Sequence, residues 1–263
     1  DRSVSRGLGD VYKRQVEIVY SPLDALRLAQ ENPTRQIVFV GVGFETTTPL
    51  VAMAIKRARA MGLTNFTVYG AHKNMPGALE VIINDPALKL DALILPGHVS
   101  TIIGAEPYRF LAEKYGIPGV ITGFEPVDVL QGIAMIMRQL HEGRAEIEIA
   151  YARGVMPEGN PVALAAIDEV FETCSATWRG LGEIPGSGYR IREEFADFDA
   201  MRRFQPDVEE VREHKGCRCG DVLRGIMAPS ECPLFRKICT PENPVGPCMV
   251  SSEGSCAAYY RYY

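Results

Sequence analysis

Apolar and polar positions alternate along this chain in two periods, one typical of strands and one typical of helices. The β-branched run VEIVY, beginning at Val16, predicts a strand. The stretch SPLDALRLAQENP predicts a helix with Ser21 as its N-cap and Pro22 at its first position. QIVFVGVGF reads as a strand buried on both faces. TTTPLVAMAIKRARAMG then predicts a helix that starts at Pro49 and ends at Gly62.

The same alternation continues through FTVYGAH, ALEVIIND, LDALILPGH, AEPYRFLAEKYG, GVITGF and PVDVLQGIAMIMRQLHEG, and AEIEIAYARGV adds a final strand. Strands alternating with helices predict an α/β fold, in which helices flank a parallel sheet. Beyond Pro157 the run NPVALAAIDEVFE predicts one more helix. WRGLGEIPGSGYRI, which holds the single tryptophan Trp178, reads as loops.

The pattern divides the chain into five parts. Residues 1–14 have no clean period and resemble a vector- or adapter-derived translation, so we expect a non-native leader there. Residues 15–34 are then the remnant of a truncated N-terminal α/β domain, and 35–155 form an α/β domain. Residues 156–205 are a connecting helix and loops, and 206–263 form a small cysteine-rich domain.

Composition narrows the possible functions. The net charge of −5 gives no electrostatic reason to expect a nucleic-acid partner. No apolar run has the length that crosses a bilayer, and the N-terminus lacks the layout of an export signal, so we expect no membrane partner. A cytoplasmic location follows as the expectation, and clustered thiols in that reducing environment indicate a metal site before they indicate disulfides.

Three strand-to-helix turns carry candidate site residues. Glu45 lies in GFETTTP, His98 in LPGHVST and Glu125 in GFEPVDV. Because the carboxyl ends of parallel strands form the ligand crevice of an open sheet, we expect these side chains at one edge of one sheet. Helix-start chemistry and turn glycines are the better explanation of each turn taken alone, and only the three turns together make a site as good an explanation.

Six of the seven cysteines lie between Cys217 and Cys256. Four thiolates suit either an iron-sulfur cluster or a tetrahedral zinc ion. The paired Cys-x-x-Cys spacing of structural zinc sites is absent, and Cys232 precedes a proline as cluster cysteines of ferredoxins do. The residues favour a cluster and leave zinc open.

The chain resembles the HypD family of hydrogenase maturation factors from Val16 to Tyr262. The resemblance rests on GFETTTP, LPGHVSTIIG, GFEPVDVLQG, WRGLGEIPGSG and the tail CRCGDVL, ECPLF and CTPENPVGPCMVSSEGSCAAYY. It implies α/β domains plus a cysteine-rich domain that carries a [4Fe-4S] cluster. It also implies a redox-active assembly scaffold rather than a turnover enzyme. With HypC, such a scaffold supports assembly of the Fe(CN)2CO unit of [NiFe]-hydrogenase, and HypE and HypF supply the cyanide.

The resemblance implies that the cluster ligands, and so the iron-binding residues, are Cys219, Cys232, Cys239 and Cys256. Glu253 precedes the last of them and is expected to face the assembly cleft together with Glu45, His98 and Glu125, whose individual roles the resemblance leaves unassigned. The family also has an iron-binding Cys-Gly-x-His motif and a redox-active Gly-Pro-Gly-Cys-Pro-x-Cys motif. This sequence contains neither, so we expect an N-terminally truncated chain, with iron of the Fe(CN)2CO unit bound only in the full-length protein.

A second function of a different class remains open. A zinc-stabilised α/β module could bind or hydrolyse a small ligand with Glu45, His98 and Glu125. The metal that the tail holds distinguishes the two functions.

Overall fold

The computed structural model describes residues 16–88, 90–207 and 214–263. The leader predicted at residues 1–14 lies outside them. The α/β prediction is confirmed, since two parallel sheets are packed against helices and the cysteines lie near the C-terminus. The described residues form three hydrophobic cores: one around each parallel sheet and one in the cysteine-rich tail.

The strands are β1 Ile37–Gly43, β2 Phe66–His72, β3 Leu93–Pro96, β4 Gly119–Thr122, β5 Ile147–Ile149, β6 Phe171–Trp178 and β7 Gly182–Ile191. The helices are α1 Pro22–Glu31, α2 Thr48–Ala60, α3 Met75–Ile83, α4 Gly97–Ile103, α5 Arg109–Tyr115, α6 Pro126–Glu142, α7 Pro161–Val170, α8 Ala200–Phe204, α9 Cys219–Leu223, α10 Pro247–Val250 and α11 Ser255–Tyr262. Short 3₁₀ turns cover Glu106–Tyr108, Glu193–Phe198 and Pro229–Glu231.

The first sheet pairs β1 with β2 in parallel, from Ile37 opposite Phe66 to Gly43 opposite His72. Helices α1 and α2 pack on it, and α7 and β6 complete the same core. The predicted start of α1 is confirmed, because the Ser21 side chain accepts a hydrogen bond from the Leu23 backbone N–H. Such a cap satisfies one of the backbone donors that a helix start leaves without a partner.

The second sheet holds β3, β4 and β5 in that order, all parallel. Its core combines Leu95 and Ile121 from the strands with Tyr108 and Leu111 from the connection between them. The predicted final strand is therefore present as β5, although it is only three residues long.

The prediction that one sheet contains all of these strands is wrong. β2 is joined on its other side by bridges from Val68 to Asp199 and from Lys73 to Gly188, so β3 does not extend the first sheet. The apolar pattern of a strand fixes which face is buried but not which strand lies beside it. The neighbours were chosen by packing between residues that are far apart in sequence.

The prediction of a strand at VEIVY is also wrong, because residues 16–19 have no regular secondary structure. In the described part of the chain no strand pairs with them. A strand requires a partner's backbone groups, and β-branched composition alone cannot supply these. Val19 nevertheless packs against the first core, while Tyr20 is exposed.

The stretch read as loops between residues 156 and 205 contains a long antiparallel hairpin. β6 and β7 run from Phe171 opposite Ile191 to Trp178 opposite Gly182, with a bulge between Cys174 and Ala176. Gly180 and Gly182 adopt positive φ angles in the turn, which glycine tolerates at no steric cost. These glycines gave the segment its loop-like composition although they serve the tip of a hairpin.

The cysteine-rich tail forms a small core of its own. Val222, Phe235 and Met249 are buried in it beside the cysteines, and Tyr259 and Tyr260 pack on Phe235. None of the helices that the structure describes combines the length and the apolar character of a membrane-spanning segment.

Candidate functional site

A cleft of about 510 Å³ lies where the two sheets and the tail meet. The turn after β1 contributes Phe44 and Thr46, the start of α4 contributes His98, the turn after β4 contributes Phe124, and the tail contributes Glu253. The predicted turns therefore meet at one cleft even though they belong to two sheets. His98 and Glu253 line it themselves, whereas Glu45 and Glu125 do not.

His98 is exposed at the N-terminal end of α4, directly after β3. Its ring centroid lies 4.6 Å from that of Phe124, with the two planes tilted by 49°. Gly97 makes this position possible, because a Cβ there would lie 2.2 Å from the carbonyl oxygen of Thr122. The glycine lets α4 start close against β4 and brings the imidazole to the cleft.

Glu45 lies beneath the cleft, with only 1% of the residue exposed. Its Oε1 accepts a hydrogen bond of 2.9 Å from the backbone N–H of Met75, the first residue of α3. Oε2 has no hydrogen-bond partner among the described residues. Burial raises the pKa of this carboxyl above its usual range, because desolvation disfavours the charged form. Glu45 thus joins the turn after β1 to α3 rather than offering a carboxylate to the cleft.

Glu125 stands at the N-cap position of α6 and points to solvent, with 75% of its side chain exposed. Its carboxylate accepts a hydrogen bond of 3.1 Å from Arg153. The same guanidinium donates to both oxygens of the buried Asp128 at 2.7 Å, and these bonds hold the pKa of Asp128 below its usual range. The Arg153 guanidinium also lies over the Tyr151 ring, 4.5 Å from its centroid. Glu125 therefore belongs to an ion-pair network beside the cleft.

Sequence reasoning missed Asp128 and Arg153. Asp128 sits in the motif GFEPVDV, and an acid in the first turn of a helix could have indicated its place. Arg153 comes from the stretch after β5, 25 residues further along the chain. No local signal could have paired the two.

All six tail cysteines lie in or against one small core. Cys219, Cys239, Cys248 and Cys256 are buried, and Cys217 and Cys232 are partly buried beside them. The Sγ atoms of Cys248 and Cys256 are 3.1 Å apart. Burial raises the pKa of the Cys217 thiol, and the neighbouring sulfurs of Cys219, Cys232 and Cys239 add to the rise.

The four predicted ligands are therefore close neighbours, but the structure does not separate them from Cys217 and Cys248. A hydrogen bond with Cys219 lowers the pKa of Cys248. A hydrogen bond with Cys256 and burial act in the opposite direction and together outweigh it, so the pKa is raised to about 12. The backbone N–H of Val245 donates to Cys239 Sγ at 3.4 Å, and hydrogen bonds to sulfur are a common feature of cluster sites.

Six soft thiols in one apolar core fit an iron-sulfur cluster or a four-thiolate zinc ion in donor type. Among the residues that the structure describes, no group of three or more His, Cys, Asp or Glu side chains has the geometry of a single-ion site. The basic residues near the thiols are engaged elsewhere: Arg218 and Arg224 both bind Asp221, and Arg236 stacks on Phe235 and Tyr260.

Cys174 stands apart from the tail thiols. It lies in β6 and is partly buried. Its charged neighbours are Arg190, Lys73 and Glu172, and burial raises its pKa.

The tip of the β6–β7 hairpin holds the tail against the α/β body. Gly180 and Gly220 approach so closely that a Cβ on Gly220 would lie 2.3 Å from the Gly180 carbonyl oxygen. Arg179 donates a hydrogen bond of 3.2 Å to the carbonyl of Val245, and Arg224 binds Asp85, which follows the C-cap of α3. These contacts position the start of the thiol core, since Gly220 directly follows Cys219.

Trp178 connects the hairpin tip to the cleft. Its ring centroid lies 5.9 Å from that of Phe44, which lines the cleft, and its Nε1–H donates to Ser187 Oγ at 2.7 Å. It packs at the end of strand β6, although its stretch was predicted to form loops.

Comparison with known proteins gives one family. The sequence model of HypD, described as the hydrogenase formation hypA family, matches residues 9–263. Residues 9–14 of the predicted leader therefore align with the family.

Several relatives are similar over nearly the whole chain. A hydrogenase expression/formation protein HupD from Azotobacter chroococcum is 49% identical over an alignment of 253 residues, and the alignment covers 94% of this chain and 67% of the relative. Hydrogenase maturation factor HypD from Rhodobacter capsulatus is 51% identical over 252 residues, with the same coverage of both chains. HypD from Cupriavidus necator is 48% identical over 254 residues, again 94% of this chain and 67% of the relative. The chain thus spans about two thirds of the length of these relatives.

Proposed function

This chain belongs to the HypD family of hydrogenase maturation factors, and from that premise we propose that it contributes to a scaffold on which the Fe(CN)2CO unit of [NiFe]-hydrogenase is assembled. HypC is the proposed scaffold partner, and HypE and HypF are the proposed source of cyanide. We also propose a cytoplasmic location, because clustered thiols such as those between Cys217 and Cys256 persist in a reducing compartment.

One observation carries the proposal: the thiol-rich core of the tail and the cleft are parts of one arrangement. Glu253 is in the cleft wall, and it lies three residues before Cys256 in the thiol core. The hairpin tip supports the same arrangement from the other side through Gly180 and Arg179. A metal group held by the thiols would therefore lie near any cargo in the cleft.

The proposed cofactor of the tail is a [4Fe-4S] cluster on Cys219, Cys232, Cys239 and Cys256, which would supply one-electron redox chemistry when bound. The apolar core around these thiols would limit the access of water, and the N–H of Val245 would stabilise negative charge at Cys239. Cys217 and Cys248 lie in the same core, so their roles have to be tested with the other four.

The cleft offers a cargo an apolar wall and two polar side chains. Phe44 and Phe124 would exclude water, and His98 and Glu253 would supply a borderline nitrogen donor and a hard oxygen donor. The imidazole is held against the Phe124 ring, so its orientation is restricted before a cargo arrives. In this arrangement His98 and Glu253 orient the iron unit rather than transform it.

Anaerobic purification from cells supplied with iron tests the proposal. We expect a brown protein with about four iron atoms per chain and a broad absorption band near roughly 400 nm from thiolate-to-iron charge transfer. Serine replacement of each tail cysteine then identifies the ligands, with Cys174→Ser as the matched control that should retain its iron. A colourless protein with one zinc ion would instead favour the zinc-stabilised small-ligand module.

A further inference from the structure

Two of the side chains that line the cleft are exposed, so burial in a core does not fix their positions. His98 follows β3 and Phe124 follows β4, and 66% of Phe124 is exposed. Their ring centroids are nevertheless only 4.6 Å apart. Each residue directly follows a glycine, Gly97 or Gly123, so the position of each ring depends on what holds its turn.

The ring of Tyr151 lies between these two turns. A Cβ on Gly97 would lie 3.0 Å from Tyr151 Cδ1, and a Cβ on Gly123 would lie 3.0 Å from Tyr151 Cδ2. These two atoms are on opposite edges of the ring, so a single aromatic side chain packs against both turns. The backbone N–H of Tyr151 donates a hydrogen bond of 3.1 Å to the carbonyl of Ile121 in β4, which attaches the ring to the second sheet.

Arg153 connects the Tyr151 ring to the start of α6. Its guanidinium lies 4.5 Å from the ring centroid and donates to both oxygens of the buried Asp128 at 2.7 Å. A bidentate pair of this kind fixes orientation as well as distance. A further hydrogen bond of 3.1 Å reaches Glu125, the residue after Phe124. These bonds restrain the turn that carries Phe124 from its C-terminal side.

We propose that Tyr151 and Arg153 are positioning residues, which set the distance and the angle between the His98 imidazole and the Phe124 ring. Tyr151 separates the two turns, and Arg153 holds the second turn against the Tyr151 ring. The same spacing determines how far the nitrogen donor of His98 lies from the apolar wall that a cargo would contact. That consequence rests on the proposed function, whereas the positioning itself does not.

Strand pairing is the competing explanation. Pro96 at the end of β3 lies opposite Thr122 at the end of β4, so the strands alone place the two turns side by side. The register of the strands does not set the direction in which each turn leaves the sheet. The experiment therefore has to separate the effect of the strands from that of Tyr151 and Arg153.

NMR of labelled histidine measures the position of the imidazole in the full chain. The sequence has four histidines, and His98→Gln identifies the Cε1–H signal that belongs to His98. The ring current of a neighbouring aromatic side chain shifts such a signal, so Phe124→Leu gives the reference value without that ring. Spectra are recorded at about pH 8.5, where ordinary histidine side chains are neutral, and all variants are compared at equal metal content.

Tyr151→Leu and Arg153→Gln should each move the His98 signal more than half of the way to the Phe124→Leu reference. Tyr151→Phe keeps the ring that separates the turns, so it should leave the signal where the unmodified chain has it. A loss of stability alone does not move a signal of the folded state. The shift therefore distinguishes positioning from general packing.

Arg144→Gln is the matched control for Arg153→Gln. Arg144 also binds acids of α6 and of the β5 region, Glu142 and Glu148, but it does so at the opposite end of α6 from the cleft. The control removes an arginine with several ion pairs from the same elements, and it should leave the His98 signal unchanged.

An unchanged His98 signal in both Tyr151→Leu and Arg153→Gln overturns the proposal, since the strands alone would then hold the turns. A shift in only one of them removes the other residue from the proposal, and an equal shift in Arg144→Gln shows general loosening and overturns it. If Tyr151→Leu does not fold, Arg153→Gln decides. If the tail never takes up iron, the proposed cluster fails, and the His98 signals still decide whether the two residues position the cleft.

Discussion

Replacing Gly220 with alanine should loosen the tail from the α/β body. The added Cβ would lie 2.3 Å from the Gly180 carbonyl oxygen, whereas real Cβ contacts are essentially never below 3.0 Å. The two backbones would therefore have to separate by about 0.7 Å, and neither is a flexible side chain that could move aside. Gly220 itself does not adopt a positive φ, so the alanine strains the contact and not its own backbone.

Overpacking of this kind typically costs about 1–3 kcal/mol. With a urea m-value of about 2 kcal/mol per molar, the unfolding midpoint should fall by roughly 0.5–1.5 M. Trp178 is the only tryptophan and lies two residues from Gly180, so its fluorescence reports on this interface. Iron content, measured in parallel, should fall because Cys219 moves with Gly220.

Gly216→Ala is the matched control in the tail. Its Cβ would meet the end of the Leu234 side chain at 3.1 Å, and this side chain can move aside. The control should keep the midpoint and iron content of the unmodified chain. If Gly220→Ala also keeps both, the hairpin tip does not position the thiol core, and the reasoning from the close backbone approach is refuted.

Three further predictions concern the ligands, the buried acid and the activity of the chain. Serine at Cys219, Cys232, Cys239 or Cys256 should remove the cluster and the order of the tail, because metal binding there contributes to folding; retained iron in any of the four would remove that residue from the ligand set. Burial raises the folded-state pKa of Glu45, so folding favours its protonated form, and its contribution to stability is present below the usual value of 4.5 and lost as the pH rises through the folded pKa. Urea unfolding at a series of pH values should therefore show that Glu45→Gln becomes more stable relative to the unmodified chain as the pH rises; a constant difference between the two across the series would contradict the argument. Finally, the printed chain has neither the Cys-Gly-x-His motif nor the redox cysteine motif that the family resemblance implies, so it should fail to restore [NiFe]-hydrogenase activity in cells lacking their own HypD, and restored activity would contradict the assigned role of those motifs.

Much of the local structure could be predicted from the sequence. Ser21 caps α1 as predicted, and Asn160 Oδ1 accepts hydrogen bonds from the backbone N–H groups of Val162 and Ala163 at the start of α7. Caps and first-turn prolines act within a few residues of the backbone groups that they serve, so their signal is contained in a short stretch. The α/β class followed in the same way from alternating periods.

The candidate site was only partly predictable. The three turns do meet at a cleft, because strands of both sheets end there, and Glu253 lies in its wall. The pattern could not show that Glu45 is buried under the cleft or that Glu125 binds Arg153. Burial and ion pairing depend on which distant segments cover a residue, and a single turn does not contain that information.

The sequence by itself determined the starts of α1 and α7, the five parallel strands, the concentration of thiols at one end and the family. Only the tertiary structure decided that the strands form two sheets, that the glycine-rich stretch is a hairpin, and that its tip meets Gly220 beside the thiol core. The physical reason is the separation along the chain of the residues that interact. Caps, turns and periodicity act between neighbours along the chain, whereas strand partners, burial and close backbone contacts arise between residues that only folding brings together.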